Sequence, residues 1–458
     1  MSGTANMAVN RPLPATLQGA PSTHGMEPRW SLAFLGVLVY LIIEYTRLAA
    51  VYTFLLQFHV AKIAAAIALV GLVFAKQELS GVRSQSRSVD FGVLAFVLVS
   101  LVSTVLARDM EMAWEGFADI LRWATIYFLV SRIVTSRWRM HVFFGLLMLL
   151  NLKLAQFQIR SYLSQKAWGR SEAFLAKGVG VGSTGFFANS NDFALAMCVA
   201  WPLAGILILG EDKKWLRLFM LTSFITFSSA LMLSGSRGGL LGALSVALVA
   251  CIIYRRRTLG FLMVLVLTLG VLYVLPDANK DRVRSAASGS DPNVLTRLNL
   301  WKMGLRMYLD NPIWGVGPNN FRPESVHYQP EGAANRRPLT PHSIHIQALS
   351  EVGALGTLAL IWIVAKALRL NLRTCRRVWQ EGKVKQSLEW FFASGLNLAL
   401  VGYLVSGSFL TVLYYPHLWF LLALTVGLNT ATATAAARKE SAPAVVPQAP
   451  WQLGRVPV

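Results

Sequence analysis

Apolar residues along this chain gather in blocks about 20 residues long, separated by short polar or basic stretches. The blocks run at approximately 30–48, 54–75, 91–107, 116–133, 141–159, 191–210, 215–233, 238–254, 259–275, 343–366, 387–407 and 409–428. A helix of about 20 residues crosses a hydrocarbon core of roughly 30 Å. Lipid tolerates no unpaired backbone polar group, so each block predicts a transmembrane helix. The expected fold is an all-α polytopic membrane protein with about 12 transmembrane helices. Residues 1–29, rich in Pro, Thr and Gly, and 429–458, rich in Ala and Pro, read as disordered tails around a membrane domain over 30–428. The first apolar block follows a long polar stretch, so no cleavable signal peptide is expected.

Composition strengthens this reading. Hydrophobic residues make up 55% of the chain and charged residues 14%, against about a quarter charged in a soluble domain; mean hydropathy is +0.50. Cys198, Cys251 and Cys375 fall in or beside apolar blocks at no metal-ligand spacing. Neither a disulfide framework nor a zinc site is expected.

The net charge of +21 acquires meaning from its placement. Arg83 and Arg87, then Arg132, Arg137 and Arg139, then Lys213, Lys214 and Arg217 occupy alternate loops, continued by Arg255, Arg256 and Arg257 and by Arg369, Arg373, Arg376 and Arg377. With these loops inside, both termini are cytoplasmic. Three segments then face outward: the loop 160–190, the turn 233–238 and the long loop 276–341. The long loop carries Lys280, Arg282, Arg284, Arg297, Lys302, Arg306, Arg322, Arg336 and Arg337 against six acids, and Arg160, Lys166, Arg170 and Lys177 face Glu172 alone in the first. Positive charge outside runs against the usual bias and favours an anionic ligand, although long loops cross regardless of charge. No nucleic-acid partner is expected.

Glu44, Arg47, His59, Lys62, Arg122, Lys153, Arg237, Glu351 and His417 interrupt the apolar blocks. Snorkelling or pairing, such as Glu44 with Lys62, accounts for any one of them. Their common position in the outer half favours a cavity open to the outside.

Four segments carry chemistry. The turn Ser234-Gly235-Ser236-Arg237-Gly238-Gly239 combines close-approach glycines with a guanidinium whose fork fits phosphate oxygens; a tight hairpin with a snorkelling Arg is the alternative. Leu295 to Leu309 reads as an amphipathic helix, with Arg297 one turn before Trp301 and near the helix start, where an anion is favoured. Asp310-Asn311-Pro312 ends it and Gly315-Val316-Gly317-Pro318 forms a bend. The helix could rest on the bilayer through Lys302 and Arg306. Pro341-His342-Ser343-Ile344-His345 opens the tenth block, with Glu351 two to three turns further in. Histidine can take a hydroxyl proton near neutral pH, and a boundary histidine can equally be structural. Asn191, entering the sixth block, reads as a helix cap or a sugar contact, with capping favoured.

In order and topology these segments resemble the O-antigen ligase family, whose relatives include O-antigen polymerases and O-oligosaccharyltransferases. Its signature, a His, then Asn, Ser or Gln, nine residues, Gly, two residues, and Gly, Thr or Tyr, is met by His342-Ser343, Gly353 and Gly356. The turn 236–239, Asn191 and the stretch Asn311-Pro312 to Gly317 match as well. The likeness covers roughly residues 30–428 and is closest to the lipopolysaccharide O-antigen ligases.

The resemblance implies a metal-independent, inverting glycosyltransferase without cofactor, seated in the bacterial inner membrane with its active site facing the periplasm. Its donor would be undecaprenyl-diphosphate-linked O-antigen, its acceptor lipid A-core, and its surroundings membrane lipids. Carried over, His342 and Arg237 are catalytic, and Arg237 with a loop arginine binds the diphosphate: Arg297, with Arg284 and Arg306 as alternatives. Asn191, His345, Glu351, Arg160 and Lys62 are further candidate substrate contacts. An O-antigen polymerase shares fold and donor, and a lipid-linked glycan transporter without chemistry is a rival from another class. The His-to-Gly signature favours the ligase.

Overall fold

The computed structural model describes residues 30–46, 52–74, 87–167, 189–210, 212–253, 265, 292–329, 336–382 and 387–441. Thirteen α-helices and no strand occur among them. They are α1 (Leu32–Thr46), α2 (Val60–Phe74), α3 (Arg87–Val105), α4 (Met110–Ile133), α5 (Arg137–Ala167), α6 (Ser190–Gly210), α7 (Lys214–Leu233), α8 (Arg237–Ile253), α9 (Pro292–Asp310), α10 (Phe321–Tyr328), α11 (Ile344–Gln380), α12 (Leu388–Gly407) and α13 (Pro416–Ser441). A 3₁₀ turn, Thr53–Leu56, precedes α2.

The chain is an all-α polytopic membrane protein. Six helices (α3, α5, α6, α7, α11 and α12) are long and apolar enough to cross a membrane, and α1, α2 and α8 are apolar but shorter. Eleven of the twelve expected spans meet a helix; the ninth, 259–275, lies outside the described residues apart from Leu265. Several boundaries differ: α2 starts at Val60 rather than 54, α4 starts at Met110 rather than 116, and α11 runs to Gln380 rather than 366. α5 continues to Ala167. The last helix starts at Pro416 rather than 409, because proline suits the first helical position and the seven residues before it turn instead. It also runs on to Ser441, past residue 428 where the tail was expected, since its alanines favour helix.

α12 forms the centre, packing on α6, α8, α11 and α13. Of the apolar windows in α6 and α12, 78% is buried, against 33% in α7, so the latter is peripheral. Polar side chains join helices inside the bundle. Asn371 donates to Thr425 Oγ1 and Thr374 to Asn429 Oδ1, each at 3.0 Å, tying α11 to α13, and Trp201 Nε1 donates to Ser228 Oγ at 2.8 Å between α6 and α7.

The helix ends fall into two groups, one at each end of the bundle. At one, Arg132 meets Asp90 at 2.7 Å and Arg137 pairs with Glu389. There the fully buried Arg139 donates to the last carbonyl of α4, Ile133, at 2.9 Å and stacks on Phe34. At the other end lie the α7–α8 turn, the starts of α6, α11 and α13, and α9 with α10.

Candidate active site

The second end is organised around a break in α11. Gly353 has φ 64° and ψ −166°, a conformation that only glycine adopts readily, in the middle of an otherwise helical run. Breaking a helix orphans carbonyls before the break and N–H groups after it. Here the chain from Pro312 to Gly317 fills the gap. Val316 N donates to Ser350 O at 2.8 Å and Gly317 N to Glu351 O at 2.9 Å, while Ala354 N donates to Pro312 O at 2.8 Å. A Cβ on Gly353 would lie 2.4 Å from Ile313 O, and one on Gly315 2.5 Å from Glu351 C. The Gly315…Gly317 bend and the Gly353 of the signature are thus two sides of one contact.

That contact fixes α9. Met307 packs with Val316 and Phe321, against Tyr328 and Ile346. On the same helix, Arg297 stands 5.8 Å over the Phe409 ring and Trp301 6.5 Å from it. α9 is therefore the amphipathic helix expected, ending at Asp310 as expected.

Phe409 belongs to a non-helical segment, 408–415, between α12 and α13, and four of the candidate residues, Arg237, Arg297, His342 and His345, lie on elements that meet it. A Cβ on Gly238 would lie 3.2 Å from Phe409 Cβ, so the Arg237 turn packs against the same ring. His342 N donates to Thr411 Oγ1 at 3.0 Å. His345 Nε2 lies 2.9 Å from Ser408 Oγ. Tyr415 OH donates to Asp192 Oδ2 at 2.7 Å at the start of α6.

His342 sits just ahead of α11, which is capped by Ser343. Its φ is 45°, unusual for a side-chain-bearing residue. Its Nε2 lies 3.2 Å from Thr340 Oγ1. Burial first, and the Arg297 guanidinium second, hold its pKa below the usual 6.5, so the ring is a neutral base at pH 7. Arg237 is exposed at the first position of α8, where Ser236 caps by accepting from Gly239 N at 3.2 Å. The Arg237 turn, the Arg297 guanidinium and the main chain of His342 thus meet one short segment. Such an arrangement can hold an anion and take a proton beside it.

Other candidates are placed differently. Glu351 is 2% exposed, and its carboxylate is taken up by protein donors: Tyr414 OH at 2.6 Å, Gln347 Nε2 at 3.1 Å, and the N–H groups of Asn319 and Phe321. The cap of α6 is Asn189, whose Oδ1 accepts from Asn191 N at 2.8 Å and Asp192 N at 3.1 Å, so Asn191 itself is not the cap. Arg306 and Lys302 are exposed, and Arg306, nine residues on, falls on the face of α9 opposite Arg297. Lys62 and Arg160 are exposed on α2 and α5, and no described contact ties them to segment 408–415. Arg284 lies outside the described residues. Among the described residues no cluster of three or more His, Cys, Asp or Glu could hold a metal ion. Sequence reasoning missed Gln347, Phe409, Thr411, Tyr414 and Tyr415. The one signal available was Pro416, which marks where α13 begins.

Residues 222–361 match the family model described as O-antigen ligase. The matched stretch is similar to the family that the sequence resemblance named, and it holds Arg237, Arg297, the Gly315–Gly353 contact and His342. That family implies a glycosyltransferase-like activity of ligase or polymerase type in O-antigen assembly. No curated protein matches the chain.

Proposed function

We propose, taking the similarity to the O-antigen ligase family as premise, that this protein transfers polysaccharide from undecaprenyl diphosphate to a sugar hydroxyl of lipid A-core at the periplasmic face of the inner membrane. The observation that carries this reading is the convergence of the Arg237 turn, Arg297 and His342 on segment 408–411. Arg237 and Arg297 bind the diphosphate. As the bond from the anomeric carbon to the diphosphate oxygen breaks, its electron pair passes to the leaving group, and the guanidinium groups stabilise that charge. The acceptor oxygen attacks the opposite face of the anomeric carbon and inverts it, while its proton passes to a ring nitrogen of His342. Because guanidinium groups supply the cation, the reaction needs no divalent metal. The basic loops at the other end of the bundle support placing both termini in the cytoplasm.

The test is reconstitution of the full chain with undecaprenyl-diphosphate glycan, lipid A-core and a chelator. Transfer is expected with chelator present and lost in His342→Ala and Arg237→Ala. Product formation that persists in both variants contradicts the mechanism. Transfer to a second lipid-linked glycan in place of lipid A-core makes the protein a polymerase, and passage of glycan across the bilayer without any new bond makes it a transporter.

A further inference from the structure

We infer that Glu351 is a positioning residue: its buried carboxylate clamps the loop 317–321 and segment 411–415 to the broken turn of α11, and so sets the gap between Arg297 and His342. The inference rests on the proposed reaction for its kinetic consequences, and the clamp rests on the hydrogen bonds that Glu351 accepts from Tyr414, Gln347, Gly317 and Ser103.

Four donors meet this carboxylate from three places. Gln347 comes from α11 itself, Tyr414 from the segment before α13, and the N–H groups of Asn319 and Phe321 from the loop that follows α9. The main chain of the same residue adds two further ties, since Glu351 O accepts from Gly317 N at 2.9 Å and from Ser103 Oγ at 2.9 Å. Gln347 passes the link onward, its Oε1 accepting from Leu413 N at 3.1 Å. Thr411, two residues earlier, holds the His342 main chain, and Phe409 holds Arg297. The fixed distance between cation and imidazole therefore depends on a carboxylate that touches neither. Tyr414 OH and Gln347 Nε2 donate to the same oxygen, Oε2, of a buried side chain, so protein groups engage the carboxylate. An amide at this position would turn an N–H toward N–H donors, leaving at least one buried group unsatisfied.

Two readouts test the clamp. In a full chain whose three native cysteines are alanine, Trp301→Cys and Phe409→Cys are joined by a short bis-maleimide, and the rate is compared with and without Glu351→Gln. The clamp predicts cross-linking slowed several-fold. In the native-cysteine chain, Glu351→Gln is expected to lower kcat by roughly tenfold to a hundredfold while the donor KM stays nearly constant. Restoring the carboxylate one turn away, in Gln347→Glu with Glu351→Gln, is expected to recover part of that loss. If Glu351→Gln does not fold, Tyr414→Phe removes one donor, keeps the ring and is read in both ways. Unchanged cross-linking overturns the inference, as does a raised KM at constant kcat, which would make Glu351 a substrate contact. A wild-type chain that transfers nothing defeats the proposed reaction, while the cross-linking rates still decide the clamp.

Discussion

At the scale of single residues, one glycine explains the signature that the sequence displays. The spacing from His342 to Gly353 and Gly356 was legible, but its cause was not, because it lies in contact with a backbone some forty residues earlier in the chain. Only the structure shows that Gly353 opens α11 for the Pro312–Gly317 chain. Gly353→Ala is therefore expected to cost about 1–3 kcal/mol or more in strain, read as a lowered Tm of the detergent-solubilised protein. Glu351 was legible as an intramembrane acid, whereas its partners beyond Gln347, one turn earlier on α11, come from segments distant in sequence that no local pattern joins. His342 yields a pH prediction. Since burial and Arg297 both lower its pKa, the basic form persists below pH 6.5, and the acid limb of kcat/KM falls below that value. Removing the cation in Arg297→Ala favours the protonated ring, so the limb moves up but stays below 6.5, because burial, the larger cause, remains. An acid limb at or above 6.5 in the wild type excludes His342 as the base.

At the scale of elements, α9 was readable and segment 408–415 was not. Arg297, Trp301 and Tyr308 recur at helical spacing in a polar loop, where the period stands out. Ser408-Phe409-Leu410-Thr411-Val412-Leu413-Tyr414-Tyr415, by contrast, is apolar enough to merge with the helix that follows, and hydropathy does not distinguish a membrane span from an irregular segment buried by protein at the same depth. That segment collects Arg237's turn, Arg297, His342 and Asp192. Its ring at Phe409 should contribute to donor affinity by holding Arg297. Phe409→Leu, which keeps bulk and loses the π-face, is expected to weaken donor binding by about two- to fivefold, measured by equilibrium titration. An unaltered affinity shows that the stacking does not orient Arg297.

For the whole molecule, the alternation of basic loops anticipated which helix ends lie together, and the sorted ends of α3 to α8 and α11 to α13 agree with it. Membrane-impermeant maleimide should label Arg322→Cys in intact spheroplasts and label Arg373→Cys only after permeabilisation; the reverse pattern inverts the topology. Both side chains are exposed, so access and not burial decides the outcome. The central claim is a division of labour: arginines grip the donor diphosphate, and His342 acts only on the acceptor. Equilibrium binding of undecaprenyl-diphosphate glycan, paired with single-turnover transfer, tests it most directly. Arg237→Ala and Arg297→Ala are expected to weaken binding about tenfold or more, while His342→Ala binds as tightly as wild type and transfers nothing. Arginine variants that bind as wild type, or a His342 variant that loses the donor as they do, would contradict the account.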